Sequence, residues 1–288
     1  MIKYLYNLLN SKVSDLRIRK VINYEDKNTK IGENNDKDLI DLKKNGYLFI
    51  ENFFSDEQIN VFKNKISYSK KKRNAKISNF MITNLSLPDI LISNQRLNLL
   101  LKNYLGDDVK LDFFEVNKLS LNPEVEIISE KWHYDIVGKR VKIFAFLNDC
   151  QNVFTEYVAG TNNIKHKNYT TVLSRRSDKY IRSKYKDFFK AVPKKGSIFI
   201  FDTNGFHRGS YRDSINLSSK NSRESIQFEF SSKSKSDKIN NIGIDQIGVR
   251  DIFFSKDYDF NNKLICKEYL SKVDNSELYF YDRNLSLF

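Results

Sequence analysis

Cysteine, proline, glycine and histidine are all scarce in this chain, with 2 Cys, 3 Pro, 10 Gly and 3 His among 288 residues. Two cysteines, Cys150 and Cys266, cannot build a disulfide framework and fit a reducing compartment. So little proline and glycine excludes collagen-like and low-complexity classes. Long apolar runs are missing too. The longest stretches, such as Ile143–Leu147 and Ile198–Phe201, fall far short of the roughly 20 residues that a helical membrane span needs. Met1–Asn10 holds one Lys and neither an extended apolar region nor a small-residue cleavage site, so it does not read as a secretory signal. The expectation is a soluble, cytoplasmic protein.

What is abundant points to a packed core. Hydrophobic residues make up 40% of the chain and aromatics 14%, with 22 Phe and 16 Tyr, which argues against disorder although 30% of residues are charged. The net charge of +13, from 49 Lys+Arg against 36 Asp+Glu, admits nucleic acid, an anionic surface or an acidic substrate. The basic residues are dispersed, however, and the densest run is only Lys70–Arg73. A lysine-rich composition of this kind also follows from an AT-rich coding sequence. With no recognisable nucleic-acid module, nucleic acid is the less favoured partner, and a small-molecule substrate the more favoured one. The sequence says nothing of oligomeric state.

Three regions suggest themselves. Residues 1–38 read as a helical lead-in and polar connector, 39–254 as the main domain, and 255–288 as an aromatic-rich extension packed on it. Leu39–Asn45 reads as the end of a helix that Asn45-Gly46 stops, followed by a strand at Tyr47–Ile50. Ser55-Asp56-Glu57-Gln58 is a capping box opening a helix whose Ile59, Phe62 and Ile66 share a face. Asn94–Leu105 predicts another helix ending at Gly106. Beyond Gly106 the texture turns to short strands, expected at Val109–Leu119, Val125–Tyr134, Val141–Asn148, Asn152–Val158, Thr170–Ser174, Gly196–Asp202 and Arg223–Phe230. Tyr180–Phe189 reads as a helical or loop insertion. The expected architecture is mainly β with flanking α-helices.

The three histidines carry the chemistry. In Lys131-Trp132-His133-Tyr134-Asp135, an extended chain turns His133 and Asp135 to one face and Tyr134 to the other. An imidazole and a carboxylate side by side can take neighbouring positions on one metal ion. His207 lies 74 residues after His133, beyond the apolar strand Gly196–Asp202, and is the natural third donor. Two His and one carboxylate with open positions describe the facial triad of non-haem Fe(II) oxygenases. Such an enzyme that uses 2-oxoglutarate must hold the far carboxylate of that cosubstrate, which Arg does best through a two-pronged contact. Arg223 opens an alternating strand in which Ile226, Phe228 and Phe230 share one face and Arg223, Ser225, Gln227 and Glu229 the other. Arg208 and Arg212 are its rivals. His166, between Lys165 and Lys167, reads as a solvated loop residue, Cys150 as a small buried apolar one, and Trp132 as core.

Taken together, His133-Tyr134-Asp135, the Gly196–Arg208 stretch with His207, and Arg223 at a strand head resemble the phytanoyl-CoA dioxygenase-like family of Fe(II)/2-oxoglutarate oxygenases. The segment Leu42–Ser55 is similar to that family's opening before a helix, and the resemblance spans about residues 38–235. It implies a double-stranded β-helix (jelly-roll, cupin-like) core, Fe(II) held by His133, Asp135 and His207, 2-oxoglutarate anchored by Arg223, and O2. It also implies that Asp135, standing where a halogenase needs a vacancy for halide, favours hydroxylation. Ala159-Gly160-Thr161-Asn162 departs from the family's P-G-S-H turn, which shapes the substrate side. The leading reading is therefore a dioxygenase that hydroxylates a small metabolite, anionic or carrier-conjugated, while 2-oxoglutarate is decarboxylated to succinate and CO2. The alternatives are a nucleic-acid or protein demethylase or hydroxylase on the same fold, and a non-catalytic β-sandwich binding module.

Overall fold

The computed structural model describes residues 36–64, 66–67, 77–82, 94–106, 109–119, 131–135, 140–164, 166, 171–211 and 222–232. The expectations for Met1–Leu9, for the connector up to residue 35, for Lys70–Arg73, for residues 125–130, for Arg212 and for 255–288 lie outside them. Among the described residues, no helix is long and apolar enough to cross a membrane.

Each early helix begins and ends where its residues dictate. Helix α1 (Lys37–Asn45) starts at Asp36, whose carboxylate accepts the Asp38 N–H at 3.0 Å, and stops at Gly46, whose φ of 81° suits a residue without Cβ. A side chain at Gly46 would also collide with the Tyr157 hydroxyl and the Asn162 amide. Strand β1 (Tyr47–Ile50) follows at once. Helix α2 (Asp56–Asn64) carries the reciprocal capping box, the Gln58 N–H donating to the Ser55 hydroxyl at 3.3 Å and the Ser55 N–H to Gln58 Oε1 at 2.9 Å. Helix α3 (Gln95–Leu105) is capped by Asn94, which accepts the Leu97 N–H at 3.1 Å.

Among the described residues, ten strands make two sheets. The remaining ones are β2 (Ile66–Ser67), β3 (Ile77–Ile82), β4 (Val109–Leu119), β5 (Arg140–Phe146), β6 (Val153–Val158), β7 (Phe188–Ala191), β8 (Ile198–Asp202), β9 (His207–Tyr211) and β10 (Arg223–Ser232). The larger sheet has the order β1-β8-β5-β10-β4-β3-β2 and the smaller β7-β6-β9. Every pairing is antiparallel. Facing sheets of this kind, with helices on the outer surface of the larger one, form a double-stranded β-helix.

Period-two alternation decides which face each residue serves. From β5, β8 and β10, Val141, Ile143, Ala145, Ile198, Ile200, Ile226, Phe228 and Phe230 point outward. There they pack against Leu39 and Leu42 of α1, Ile59 and Phe62 of α2, and Leu97, Leu100 and Leu101 of α3. The intervening residues face the smaller sheet. Phe144, Phe146, Phe199 and Phe201 join Tyr157 and Ala191 in a second cluster between the sheets. Asp202 ties the layers together: its carboxylate accepts the Tyr104 hydroxyl of α3 at 2.6 Å and its carbonyl accepts the Tyr157 hydroxyl of β6 at 2.9 Å.

Several expectations need correcting. Thr170–Ser174, expected as a short strand, holds the short helix α4 (Thr171–Ser174). The Ser174 hydroxyl there bonds the backbone of Tyr134 twice, taking its N–H at 3.2 Å and donating to its carbonyl at 2.7 Å. Within Val125–Tyr134, the described Trp132 and His133 form single bridges and not a regular strand. The stretch at Tyr180–Phe189 divides into helix α5 (Asp178–Lys184), which starts two residues earlier, and the start of β7. Strands β2, β3 and β9 went unforeseen, and Ile66, expected on the helix face with Ile59 and Phe62, lies in β2 beyond the end of α2.

Candidate functional site

His133, in the segment before β5, pairs with His207 at the start of β9 in the smaller sheet. The His133 N–H donates to the His207 carbonyl at 3.0 Å and the His207 N–H donates back at 2.7 Å, so the two residues form a closed antiparallel bridge. Their rings lie on the same side of it, with centroids 4.5 Å apart. His207, beyond the apolar strand β8, is the first residue of β9. Gly205, two residues before it, is pressed against the Tyr157 hydroxyl, where a Cβ has no room. Two residues beyond His133, the Asp135 N–H bonds the Thr203 carbonyl at 2.9 Å, which brings its carboxylate to the same place.

Asp135 Oδ1 lies 3.8 Å from His133 Nε2 and 3.9 Å from His207 Nε2. The donor atoms of the three residues all fall within 4.8 Å of one another. Two donors about 2.1 Å from a shared ion are at most about 4.2 Å apart, so the carboxylate–imidazole separations fit a first-row cation. Among the described residues this is the one group of three or more His, Cys, Asp or Glu placed to hold a metal.

The atoms that do not face the centre are each held. His133 Nδ1 lies 2.7 Å from the Lys131 carbonyl and His207 Nδ1 3.0 Å from the Gly205 carbonyl. A carbonyl only accepts, so each Nδ1 carries the proton and each Nε2 presents a lone pair. Burial pushes the His133 imidazole down to about 3, helped by the charge of His207, and burial likewise lowers His207. Both rings are therefore neutral near pH 7. Burial alone raises the Asp135 carboxyl, but the Lys142 ammonium foremost, with the neighbouring imidazoles and Arg140, outweighs it and holds it well below the usual carboxylate range. The third donor is an anion at neutral pH. Two neutral imidazoles and one carboxylate suit iron(II), manganese(II) or a similar ion.

Arg223, at the head of β10, is buried between the sheets, with Nη1 3.3 Å from the Thr155 hydroxyl of β6 and the guanidinium 5.0 Å from the centre of the Phe144 ring. Thr155 pairs across to Gly209, two residues past His207 on β9. Arg208 is engaged elsewhere. Its Nε and Nη2 each lie 2.6 Å from Glu156 Oε2, its Nη1 lies 2.9 Å from Asp178, and it covers the buried ring of Trp132. Cys150 is buried.

His166 corrects an expectation. It is not solvated: its Nε2 bonds the Asn204 carbonyl at 2.7 Å and its ring stacks on Tyr134 at 3.6 Å, behind the metal-facing side chains. The lysines around it conceal that in the sequence. Sequence reasoning also passed over Lys142 and Arg140. They occupy alternate positions of β5, turned inward beside Asp135, with Lys142 Nζ 3.0 Å from Asp135 Oδ2 and 3.0 Å from Glu229 Oε1, and Arg140 2.7 Å from Glu229 Oε2. The alternation Arg140-Val-Lys142-Ile was the available signal.

Fold and site together define a double-stranded β-helix with a two-histidine, one-carboxylate centre between its sheets. No family model matches the chain, and neither does any curated protein. Solved structures do. SnoN, a non-heme alpha ketoglutarate dependent epimerase from nogalamycin biosynthesis, superposes with a TM-score of 0.50 at 10% identity over 68% of this chain and 82% of its own. EctD from S. alaskensis, solved with bound Fe, gives a TM-score of 0.51 at 16% identity over 71% of this chain and 80% of its own. At such identities the likeness is one of fold.

Proposed function

We propose that this chain is an Fe(II)/2-oxoglutarate-dependent oxygenase that hydroxylates a small metabolite, anionic or carrier-conjugated, and that it is similar in kind to the phytanoyl-CoA dioxygenase-like enzymes. The observation that carries this reading is the convergence of two neutral imidazole nitrogens and one carboxylate oxygen on one point, in the interior that also buries Arg223. In this reading residues 39–254 are the catalytic domain, 1–38 and 255–288 flank it, and the chain works in the cytoplasm.

His133, Asp135 and His207 would hold the iron, and Arg223 would take the far carboxylate of 2-oxoglutarate. Iron so held supplies the activation of O2 that, coupled to decarboxylation of 2-oxoglutarate to succinate and CO2, permits attack on an unactivated C–H bond. The protein's own work is placement. The two Nδ1–carbonyl bonds fix the tautomers and the ring directions. Arg223 meets a dianion in a buried setting where Phe144 and Thr155 leave its guanidinium little freedom, so the cosubstrate would be oriented as well as bound. The aromatic wall of Phe144 and Phe201 would exclude water from this end of the interior. EctD with its bound Fe and the alpha ketoglutarate dependent SnoN support the reading through their fold.

The test is anaerobic titration of the purified protein with Fe(II) and then 2-oxoglutarate. One iron per chain and a weak visible charge-transfer band are expected, followed in air by succinate release with a cognate small molecule. A protein that binds neither iron nor 2-oxoglutarate would sink the reading. Succinate release stimulated by oligonucleotides or peptides, and by no small molecule, would move it to a macromolecular substrate.

A further inference from the structure

Of the supports behind the three metal-facing side chains, those of His133 and His207 are backbone carbonyls that no substitution removes. The support behind Asp135 is a side chain, Lys142. Its Nζ lies between two carboxylates, 3.0 Å from Asp135 Oδ2 and 3.0 Å from Glu229 Oε1. Lys142 and Glu229 are direct cross-strand partners in the β5–β10 ladder. The β10–β4 register slips just after Glu229, a local irregularity of the kind that re-aims a side chain. Glu229 is in turn fixed by Arg140 at 2.7 Å and by Gln227, whose amide donates to Oε1 at 2.7 Å. The centre therefore has a second oxygen of Asp135 at hand besides Oδ1, which faces both imidazoles, and the Glu229 carboxylate one ammonium further off.

A divalent cation attracts every carboxylate oxygen in reach, and a carboxylate can bind through one oxygen or two. An ammonium seated between Asp135 and Glu229 competes for these oxygens with charge-assisted hydrogen bonds. We infer that Lys142 is a positioning residue that ties up Asp135 Oδ2 and Glu229 Oε1, so that the metal takes one oxygen from Asp135 and none from Glu229. An edge of the coordination sphere then stays open for a two-pronged ligand such as a 2-oxo acid. The inference rests on the Fe(II)/2-oxoglutarate reading of the site.

Removing Lys142 has effects of opposite sign on the two ligands. The freed oxygens turn to the ion and a like charge leaves its neighbourhood, so the metal binds more tightly. The position they occupy is lost to 2-oxoglutarate, which binds more weakly. A side chain that served only packing or folding would weaken both together. Replacement of residues behind a metal's ligands commonly changes affinity or activity by about 10–100-fold, and about tenfold weaker 2-oxoglutarate binding is the expected effect for Lys142→Met.

The experiment loads the full chain with Mn(II), and counts rapidly exchanging water on the ion by water-proton relaxation. 2-Oxoglutarate affinity is measured separately by anaerobic titration of the Fe(II) form. Relative to wild type, K142M should show lower relaxivity per bound Mn(II), tighter Mn(II) and weaker 2-oxoglutarate. K142R, which keeps charge and donors, should recover most of the relaxivity, and K142M/E229Q should recover part of it because one stray oxygen donor is gone. K142Q carries the same comparison if K142M is insoluble. Wild-type relaxivity and wild-type 2-oxoglutarate affinity in K142M would overturn the inference, as would parallel loss of both ligands. A wild-type chain that holds neither Mn(II) nor Fe(II) would instead overturn the reading of the site on which the inference rests.

Discussion

The space between the sheets is aromatic at one end and ionic at the other, and the same strands build both. Strand β5 gives Phe144 and Phe146 to the first and Arg140 and Lys142 to the second. At the aromatic end Tyr47 stacks on Phe189 at 4.3 Å and Phe199 on Phe201 at 4.8 Å, a filling that excludes water and orders the sheets. At the ionic end Asp135, Lys142, Glu229 and Arg140 form one chain of contacts no longer than 3.0 Å. Burying four charges is costly, and well-packed apolar side chains often serve stability as well or better. The contrast teaches that the aromatic filling serves the fold first, and reaches the centre where Phe201 meets the His207 ring at 5.0 Å, whereas the ionic network serves the centre beside it. Burial raises the Glu229 carboxyl, but Lys142 and Arg140 outweigh it and hold it ionised, so the network keeps its charges at neutral pH.

If the two ends differ in this way, substitutions should separate binding from stability. The largest effect is expected at the centre itself. His207→Ala and Asp135→Ala should abolish the Fe(II)–2-oxoglutarate band and turnover while the far-ultraviolet circular dichroism stays native. Turnover that survives in Asp135→Ala would refute the ligand assignment. At the aromatic end, Phe199→Ala removes a fully buried ring and should cost about 3–5 kcal/mol, read by denaturant titration, with iron affinity of the folded protein unchanged. Arg223→Ala should weaken 2-oxoglutarate by the loss of a buried charge pair, about 2–5 kcal/mol, or roughly 30- to several-thousand-fold. Fe(II) affinity should hold, and Arg223→Lys should recover only part because an ammonium makes no two-pronged contact. Normal cosubstrate binding by Arg223→Ala would move the anchor elsewhere.

The smallest effect is on pH dependence. Burial lowers His133, His207 and His166 from the usual value of 6.5. Between pH 6.5 and the lowered values the unfolded chain binds protons that the native one does not, so stability rises with pH across that window and falls as the medium is acidified. The metal-free protein should therefore melt at lower temperature at pH 5.5 than at pH 7.5. His166→Asn, which leaves the metal centre intact, should flatten that slope. An unchanged slope in His166→Asn would show that this ring does not contribute.

Much of this was legible in the chain. The stop at Gly46, the capping box at Ser55–Gln58 and the strand Val109–Leu119 are local signals, and local chemistry decides them. The alternation in 223–230 separates Ile226, Phe228 and Phe230 from Arg223, Gln227 and Glu229, and the sheet keeps that division. His133, Asp135 and His207 could be named because rare residue types stood at telling places. What escaped depends on partners distant in sequence. His166 is buried by Tyr134 and Phe206, the helical turn that ends at Ser174 is tied to the Tyr134 backbone, and Lys142 takes its meaning from Asp135 and Glu229. A pattern with period two says which way Lys142 points, but not what waits there.

The backbone bridge between His133 and His207 makes two donors behave as a single latch. Each closes the other through its own peptide group, and the pair joins the segment before β5 to the smaller sheet. If β9 comes away from its neighbours, the imidazole of His207 leaves and the backbone bridge that holds His133 opens with it. Metal retention should then be all-or-none along an unfolding transition, and the ion itself becomes a gauge of whether the two layers are zipped together.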